Sequence, residues 1–457
     1  LVKRAPDTPY ARGLLLHSKM LCCDWAELDA LYEDVRQSLE AGREAADPFG
    51  FQAIGRTPEE LLLCARRYAQ TYFPDAPPVA RPPRVPGHSI TVGYLSGEFR
   101  YQATSILLTE ILEGHDAQRF RVLCFDNGHD DGSALRQRIV SAAGEVLDIR
   151  SLSDEQAANL VSARGVDILV NLNGYFGRAR QGVFARHAAP IQVNYLGFPG
   201  TLGAPYMDYI IADPLVIPQR DFSFYDEKVV WLPDSYQPND RKRAISDRAF
   251  TRAEVGLPDA GVVFCCFNNT YKILPEVFDV WMRLLRSVPD SSLWLYEANA
   301  VAADNLRRES ALRGVDPSRI VFGGRMDLPD HLARLRLADL FLDTLPYNAH
   351  TTASDALWAG LPVLTCVGNT FPARVGASLL QAVGLPELIT TTLADYEALA
   401  LRLARHPGEL GAIREKLSRN RLTTPLFDSE RYTRHLEDAY EEMLSLIHIS
   451  EPTRRRG

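Results

Sequence analysis

Short apolar runs alternate with amphipathic stretches along most of the chain. From residue 88 onward, the runs SITVGYLSG and FRVLCFDNG flank the helical-period stretch TSILLTEILEG. Short apolar runs that end in turn residues are typical of buried strands, and strands that alternate with helices form parallel βαβ units. The alternation begins again after about residue 255 with GVVFCCFNN and PEVFDVWMRLLRSV. This pattern predicts an α/β protein with two Rossmann-like lobes, and ligands bound at the carboxyl ends of the strands, in the crevice between the lobes.

The chain before residue 86 has a helical pattern. The stretch DWAELDALYEDVRQSL has apolar residues at helical spacing. In TPEELLLCARRYAQTYF, Thr57 and Glu60 predict a capping box, with Pro58 at the favoured first helical position. A Pro-rich stretch, PDAPPVARPPRVPG, then predicts a linker. The predicted domains are a helical segment at 1–85, an N-terminal lobe at 86–250, a C-terminal lobe at 251–427, a closing helix at 428–448 and a candidate non-native tail at 449–457.

The amino-acid composition argues against several classes of function. The formal net charge of −8 argues against broad nucleic-acid binding, and no apolar run approaches the ~20 residues of a membrane span. The seven Cys, an odd number, fit a reducing compartment, and the N-terminal sequence lacks the apolar core of a signal peptide. We therefore expect a cytoplasmic protein without nucleic-acid or membrane partners. There is no CxxC motif and no Asp-x-Asp pair, so no metal cofactor is predicted.

The stretch LFLDTLPYNAHTTASDALWAG runs from strand through loop to helix. The first N–H groups of a helix have no internal partner and carry partial positive charge, so His350, Thr351 and Thr352 could hold a phosphate. Alternatively, Thr352 caps the helix and Asp355 completes a T-x-x-D capping box. Helix caps are far commoner than ligand sites, but the location at a strand end favours a ligand, and both interpretations stay open.

A second strand of the same lobe ends in CCFNNTYKILP, which places Lys272 before another helix. An ammonium group suits a phosphate leaving group, although a solvated loop lysine is the simpler explanation for this residue alone. Two strands of one lobe thus end at groups that attract anions, a cation at one strand and a helix N-terminus at the other. Together these groups favour a pyrophosphate site.

Three further stretches have both structural and functional explanations. Three Gly and two Pro within residues 197–206 imply tight turns or close approach of the backbone. Asn171, Asn173 and Gly174 end another strand, where the amides bind sugar hydroxyls or simply terminate the strand. His331 either stacks on a base or is an ordinary residue of a first helical turn.

Several of these stretches, in this order, resemble a known family. VGYLSGEFRYQATSILL, VDILVNLNGY, FNNTYKILP, RVGASLL and above all YLGFPGT with HTTASDALWAG are similar to the bacterial, SPINDLY-like relatives of O-linked N-acetylglucosamine transferase. The resemblance covers about residues 15–445. It implies a GT-B fold that binds a nucleotide-sugar donor, metal-independent inverting transfer to Ser or Thr hydroxyls of a protein acceptor, and tetratricopeptide repeats before Leu1.

The resemblance also assigns roles by position. It implies that Lys272 binds the diphosphate beside Asn269 and that Tyr271 lines the reaction centre. The remaining implied donor contacts are His350, Thr351 and Thr352 at the phosphates, Asp355 at the ribose, His331 at the base, and Leu196 and Gly197 near the sugar. Asn173, at its strand end, is a further candidate for binding the nucleotide-sugar.

Two departures from the family leave alternatives open. Gln102 stands where the family has its proposed catalytic His, and Gln cannot accept a proton at neutral pH. Tyr347 stands where the animal enzymes have Cys near the acetamido group. The chain could therefore be a nucleotide-sugar-binding scaffold with weakened turnover, use UDP-glucose or GDP-fucose, or act on an acceptor other than protein.

Overall fold

A computed structural model describes residues 8–82 and 87–450 of the chain, with the backbone alone for 447–450. The described chain opens with four helices. Thr57 caps the fourth, since its Oγ1 accepts a hydrogen bond from the Glu60 N–H at 3.2 Å, but the Glu60 carboxylate turns to the Arg56 N–H. Only half of the predicted capping box is therefore formed. The helices are α1 (Ala11–Leu21), α2 (Leu28–Glu40), α3 (Pro48–Phe51) and α4 (Pro58–Tyr72).

Seven parallel strands then form the first sheet, in the order β3-β2-β1-β4-β5-β6-β7. Every residue of β1 is buried, as expected for a central strand that is covered on both faces. The strands are β1 (Ile90–Ser96), β2 (Phe120–Asp126), β3 (Glu145–Asp148), β4 (Ile168–Asn171), β5 (Ile191–Asn194), β6 (Tyr209–Ala212) and β7 (Lys228–Trp231), and the helices between them are α5 (Ala103–Gly114), α6 (Ala134–Ala142), α7 (Asp154–Ala163) and α8 (Gln181–Phe184).

Six parallel strands form the second sheet, in the order β10-β9-β8-β11-β12-β13. The strands are β8 (Val263–Cys266), β9 (Ser292–Tyr296), β10 (Ile320–Gly323), β11 (Leu340–Leu342), β12 (Val363–Cys366) and β13 (Ile389–Thr390). The helices are α9 (Pro275–Ser287), α10 (Ala300–Leu312), α11 (Leu328–Arg334), α12 (Thr351–Ala359), α13 (Val375–Ala382), α14 (Leu393–Arg405), α15 (Pro407–Asn420) and, as the last described element, α16 (Ser429–Ser450). The predicted fold of two parallel α/β sheets is confirmed.

The described residues divide into two compact units that depart from the predicted domain boundaries. The first-sheet unit comprises Leu61–Arg241 and the chain from Phe427, and the second-sheet unit comprises the chain up to Glu60 together with Lys242–Leu426. Helices α1 to α3 thus belong to the second sheet rather than forming a separate segment. The reason is packing, since Trp25 lies against Phe278 of α9 with ring centroids 5.2 Å apart.

Helix α16 packs on the first sheet, although it follows the whole second sheet in the sequence. Leu436 is fully buried in the core of that unit. The Tyr195 and Tyr432 hydroxyls are 2.5 Å apart, and the Glu437 carboxylate accepts from the Asp116 N–H at 2.8 Å. The helix extends to Ser450, and residues 451–457 of the candidate non-native tail lie outside the described residues. None of the described helices combines the length and apolar composition of a membrane span.

Candidate functional site

A buried carboxylate organises the loop that follows β11. Asp343 accepts hydrogen bonds from the Ala349 N–H at 2.6 Å, the Thr344 N–H at 2.8 Å and the Thr365 hydroxyl at 2.6 Å. Burial raises the pKa of Asp343 to about 6, and these donors oppose that shift. The carboxylate thereby holds the ends of the 343–349 loop together, which places Tyr347 and the Asn348 carbonyl beside the end of β8.

Lys272 is a buried cation whose direct contacts are uncharged groups. It lies in the one-turn 3-10 helix Thr270–Lys272 after β8 and is 9% exposed. Its Nζ donates to the Asn348 carbonyl at 2.9 Å and lies 3.9 Å from the centroid of the Tyr347 ring. Burial lowers the pKa of Lys272 to about 8, and the Asp343 carboxylate opposes that shift. The direct contacts of Lys272 among the described residues are thus uncharged, so a bound anion would add to the counter-charge that Asp343 supplies from further away.

Helix α12 begins at Thr351, three residues after Asn348, whose carbonyl Lys272 contacts. Its N-cap residue, His350, makes no side-chain cap. The N–H groups of His350, Thr351 and Thr352 have no hydrogen-bond partner among the described residues. Three free amides and an ammonium group therefore lie within one short stretch of structure, as an anion site requires.

The predicted T-x-x-D capping box is wrong. Both of its residues lie inside α12, because the helix begins one residue before Thr352. The Thr352 hydroxyl donates instead to Asn268 Oδ1 at the end of β8. The Asp355 carboxylate accepts from Arg243 Nη1 at 2.5 Å, and burial raises the pKa of Asp355 to about 6 against the opposing effect of Arg243. A ribose contact for Asp355 stays a prediction.

His350 and His331 are both neutral. The Nε2 atom of His350 lies 3.2 Å from the Pro372 carbonyl, and burial, followed by the nearby Lys272 charge, lowers the pKa of His350 well below its ordinary value. Within α11, Arg334 Nε donates to His331 Nδ1 at 3.1 Å. Burial lowers the pKa of His331 to about 3. Because Nδ1 of His331 accepts, its Nε2 carries the proton and can donate to a ligand.

The rings around Tyr271 form an aromatic cluster next to Lys272. The Tyr271 ring lies 6.0 Å from Tyr347, 6.2 Å from Phe49 of α3 and 5.2 Å from His17 of α1, between centroids. Burial raises the pKa of the Tyr271 phenol, which therefore stays protonated. Asn269, one residue before this turn, is exposed.

The other predicted site residues lie in the first-sheet unit. Gln102 is the N-cap of α5, where its side chain accepts from the Ala103 N–H at 3.1 Å. Asn173 is fully buried, and its side chain bonds the Gly97 N–H and the Phe176 carbonyl. The structure thus gives Asn173 a scaffolding contact, and a sugar contact stays a prediction.

The loop after β5 is tightly built. Leu196 has the left-handed φ of +69°, and a Cβ on Gly197 would lie 1.9 Å from the Leu172 carbonyl oxygen. Only glycine fits at position 197, which agrees with the close backbone approach that the sequence predicts.

Five residues that organise the second-sheet site were not identified from the sequence. Asp343 follows a predicted strand, so the rule that ligands gather at strand ends could have found it. The other four carry no local signal, because their roles come from contacts between distant parts of the chain. They are Asn268, Asn348, Arg243 and Arg334.

Two parallel sheets, with polar groups gathered at the carboxyl ends of strands in the second, define a GT-B fold. The family model described as "Glycosyl transferase family 41" matches residues 76–249 and 244–436. The chain therefore belongs to glycosyl transferase family 41.

The relatives agree with this assignment. The chain is 35% identical to the probable UDP-N-acetylglucosamine–peptide N-acetylglucosaminyltransferase SEC of Arabidopsis thaliana, over 94% of this chain and 46% of that protein. It is 28% identical to the corresponding transferase of Caenorhabditis elegans, over 80% of this chain and 42% of that protein. A solved variant of Thermobaculum terrenum O-GlcNAc transferase matches with a TM-score of 0.81 at 29% identity, over 97% of this chain and 85% of that one. The chain spans less than half the length of these two curated relatives.

Proposed function

We propose that the chain transfers a sugar from a UDP-sugar to Ser or Thr hydroxyls of a protein, with inversion and without a metal ion. GlcNAc is the first candidate sugar, because the curated relatives named above are described as UDP-N-acetylglucosamine–peptide transferases. The observation that carries the proposal is the arrangement of Lys272 beside the free N–H groups at the start of α12.

In the proposed step, the acceptor oxygen forms a bond to the anomeric carbon as the bond from that carbon to the β-phosphate oxygen breaks. UDP leaves with the bonding electron pair, and the hydroxyl proton passes to solvent or to a basic group. Lys272 and the amides of His350, Thr351 and Thr352 stabilise the charge that develops on the departing phosphate. Preorganised donors of this kind are worth about 10²–10³-fold each in rate.

A second function, a donor-binding scaffold with weak turnover, is favoured by one observation. Gln102 stands where the family has a His, and its side chain is bound to the Ala103 N–H at the start of α5. Loss of a general base typically costs about 10²–10⁴-fold in rate, which slows a transferase without abolishing it. UDP-glucose, GDP-fucose and non-protein acceptors remain further candidate substrates.

The test is a donor panel of UDP-GlcNAc, UDP-glucose and GDP-fucose, read by release of the nucleoside diphosphate with and without acceptor proteins. We expect one donor to be consumed and Lys272→Ala to lower kcat/KM by about 10²-fold or more. Lys416→Ala is the matched control, because Lys416 is an exposed lysine of the same unit, paired with Glu387.

The result separates the two functions. Donor binding without consumption, seen by calorimetry, would establish the scaffold function. Neither binding nor consumption of any donor, or full activity in Lys272→Ala, would contradict the proposed transferase.

A further inference from the structure

The C-terminal end of α1 holds the turn that carries Lys272. The Thr270 hydroxyl donates to the Leu21 carbonyl at 2.7 Å, and Cys23 Sγ donates to the Thr270 carbonyl at 3.7 Å. Asn299, at the N-cap of α10, donates to the same Leu21 carbonyl at 3.0 Å. A helix that the sequence places outside the lobes is thus hydrogen-bonded directly to the turn between Asn269 and Ile273.

Tyr271, the central residue of that turn, is enclosed by rings from the same helical segment. His17 of α1 and Phe49 of α3 lie on it, with Tyr347 as the third ring. Only 9% of Tyr271 is exposed, and its hydroxyl has no hydrogen-bond partner among the described residues. The ring is therefore fixed by packing, and its polar end stays available.

The His17 ring is held in the cluster by packing rather than by hydrogen bonds of its Nδ1. Its Nδ1 is buried without a hydrogen-bond partner in the described part of the chain. An unsatisfied buried polar atom costs stability that a Phe or Leu at the same position would avoid. Burial lowers the pKa of His17, with the Asp47 charge opposing, so the ring that contacts Tyr271 is neutral. The contact between His17 and Tyr271 is therefore one of ring packing.

We infer that His17 is a positioning residue of the transferase, which fixes the Tyr271 ring against the turn that carries Lys272. The inference rests on the proposed function and adds to it the helical segment α1–α3, which becomes part of the catalytic unit. Reactive geometry is sensitive to small displacements, since a 1 Å error in position can cost about 10²-fold in rate. A shift of Tyr271 should therefore affect turnover more than donor binding, which depends on Lys272 and the amides at α12.

The test is a double-mutant cycle of His17→Ala and Tyr271→Ala in the full chain, with kcat and the donor KM measured separately. We expect His17→Ala to lower kcat by about tenfold or more, because Tyr271 loses one wall of its enclosure. The donor KM and the thermal shift on UDP binding should stay within about twofold of the unsubstituted protein, since the phosphate contacts are intact. In the Tyr271→Ala background, the His17→Ala effect on kcat should disappear, because residues that act through one another are not additive.

Two further variants keep the test decisive. Leu14→Ala, on the exposed side of α1, should leave kcat and stability unchanged. His17→Phe keeps a ring against Tyr271 and should recover most of the lost kcat. If His17→Ala does not fold, His17→Leu replaces it in the cycle, because leucine fills the space without a ring.

Each failure has its own signature. Additive effects of His17 and Tyr271, or full kcat in His17→Ala, would overturn the inference and leave the transferase function intact. A chain that neither binds UDP nor consumes any donor would overturn the transferase function, and the inference with it.

Discussion

At the scale of single residues, Lys272 is the side chain that most favours an anionic ligand. A buried ammonium usually has a carboxylate partner, because desolvation disfavours its charged form. Here the direct contacts are the Asn348 carbonyl and the Tyr347 ring, and the Asp343 carboxylate acts from further away. The site is therefore charged but only partly compensated before a ligand binds, which favours a diphosphate over a neutral ligand.

We predict that kcat/KM for the sugar donor falls above about pH 8. The pKa of Lys272 is lowered to about 8, and kcat/KM reports ionisations of the free enzyme. Above that pH the neutral amine no longer attracts the diphosphate, and loss of one essential proton lowers kcat/KM by up to about tenfold per pH unit. The measurement is a pH profile from neutral to alkaline conditions, with Lys272→Arg as the control, because a guanidinium keeps its charge throughout that range.

The contribution of Lys272 to the stability of the fold changes in the opposite direction over this range. The folded-state pKa of Lys272 lies below the unfolded value of about 10.4, so the unfolded chain binds more protons between these values. The Lys272 contribution to stability therefore rises with pH from about 8 to about 10.4, and unfolding through this group cannot cause the loss of activity. An alkaline decline of the same size in Lys272→Arg would contradict the assignment.

We predict that Asp355→Ala destabilises the second-sheet unit. Arg243 and Asp355 form a nearly buried ion pair, and Asp355→Ala removes the carboxylate of that pair from beside the guanidinium. Breaking a buried ion pair from one side costs about 3–5 kcal/mol. The measurement is the urea unfolding midpoint, with Glu387→Ala as the control, because the exposed Lys416–Glu387 pair should contribute only about 0–1 kcal/mol.

Asp355→Ala also tests the implied ribose contact. If Asp355 mainly holds the ribose, the substitution would weaken UDP binding and leave the unfolding midpoint near that of Glu387→Ala. If Asp355 mainly pairs with Arg243, the urea unfolding midpoint would fall. UDP binding would then weaken only under conditions in which the unit unfolds.

At the scale of elements, periodicity predicts the strands and helices well, since both depend on local sequence. The alternation of apolar runs and amphipathic stretches predicts βαβ units, and both sheets confirm it. The start of α12 is harder to predict. Thr351 and Thr352 are both good capping residues, yet both lie inside the helix and His350 is the N-cap residue.

Sequence periodicity cannot predict which helix packs on which of the two sheets. Helix α1 joins the second sheet through a bond between Leu21 and Thr270, which are 249 residues apart in the chain. Helix α16 joins the first sheet through Tyr432 and Tyr195, 237 residues apart. Such pairings depend on tertiary packing, which leaves no periodic signal. For the same reason, the sequence did not identify Arg243 and Asn348 as site residues. Lys272 and Thr351 could be identified because they lie at strand and helix ends, which the apolar pattern predicts.

We predict that Leu436→Ala lowers the melting temperature of the first-sheet unit. Leu436 of α16 is fully buried in the core of that unit, and truncation of such a leucine costs about 2–5 kcal/mol. Leu446→Ala is the matched control on the same helix, because Leu446 is 47% exposed and should change stability by only about 0.5 kcal/mol. Equal effects of the two substitutions in a thermal melt would show that α16 is not anchored where the structure places it.

At the scale of the whole molecule, net charge works against the proposed donor. The chain carries a formal charge of −8, and a nucleoside diphosphate sugar is also an anion. Attraction must therefore come from local positive potential, which is what helix N-termini and buried cations provide. The protein does not need a basic surface to bind this ligand, only a small region in which donors and one ammonium outweigh the overall charge.

We predict that sugar transfer is unaffected by chelation of divalent metal ions. A metal–diphosphate clamp needs carboxylate oxygens that face the ligand. In the second-sheet site, Asp343 already accepts from the Ala349 and Thr344 N–H groups and the Thr365 hydroxyl, and Asp355 from Arg243. Their oxygens hold the protein together, so charge neutralisation falls to Lys272 and the amides of α12. The measurement is the transfer rate with excess EDTA, expected within about twofold of the untreated rate, and a loss that Mg²⁺ restores would show that a metal ion shares the work of stabilising the departing phosphate.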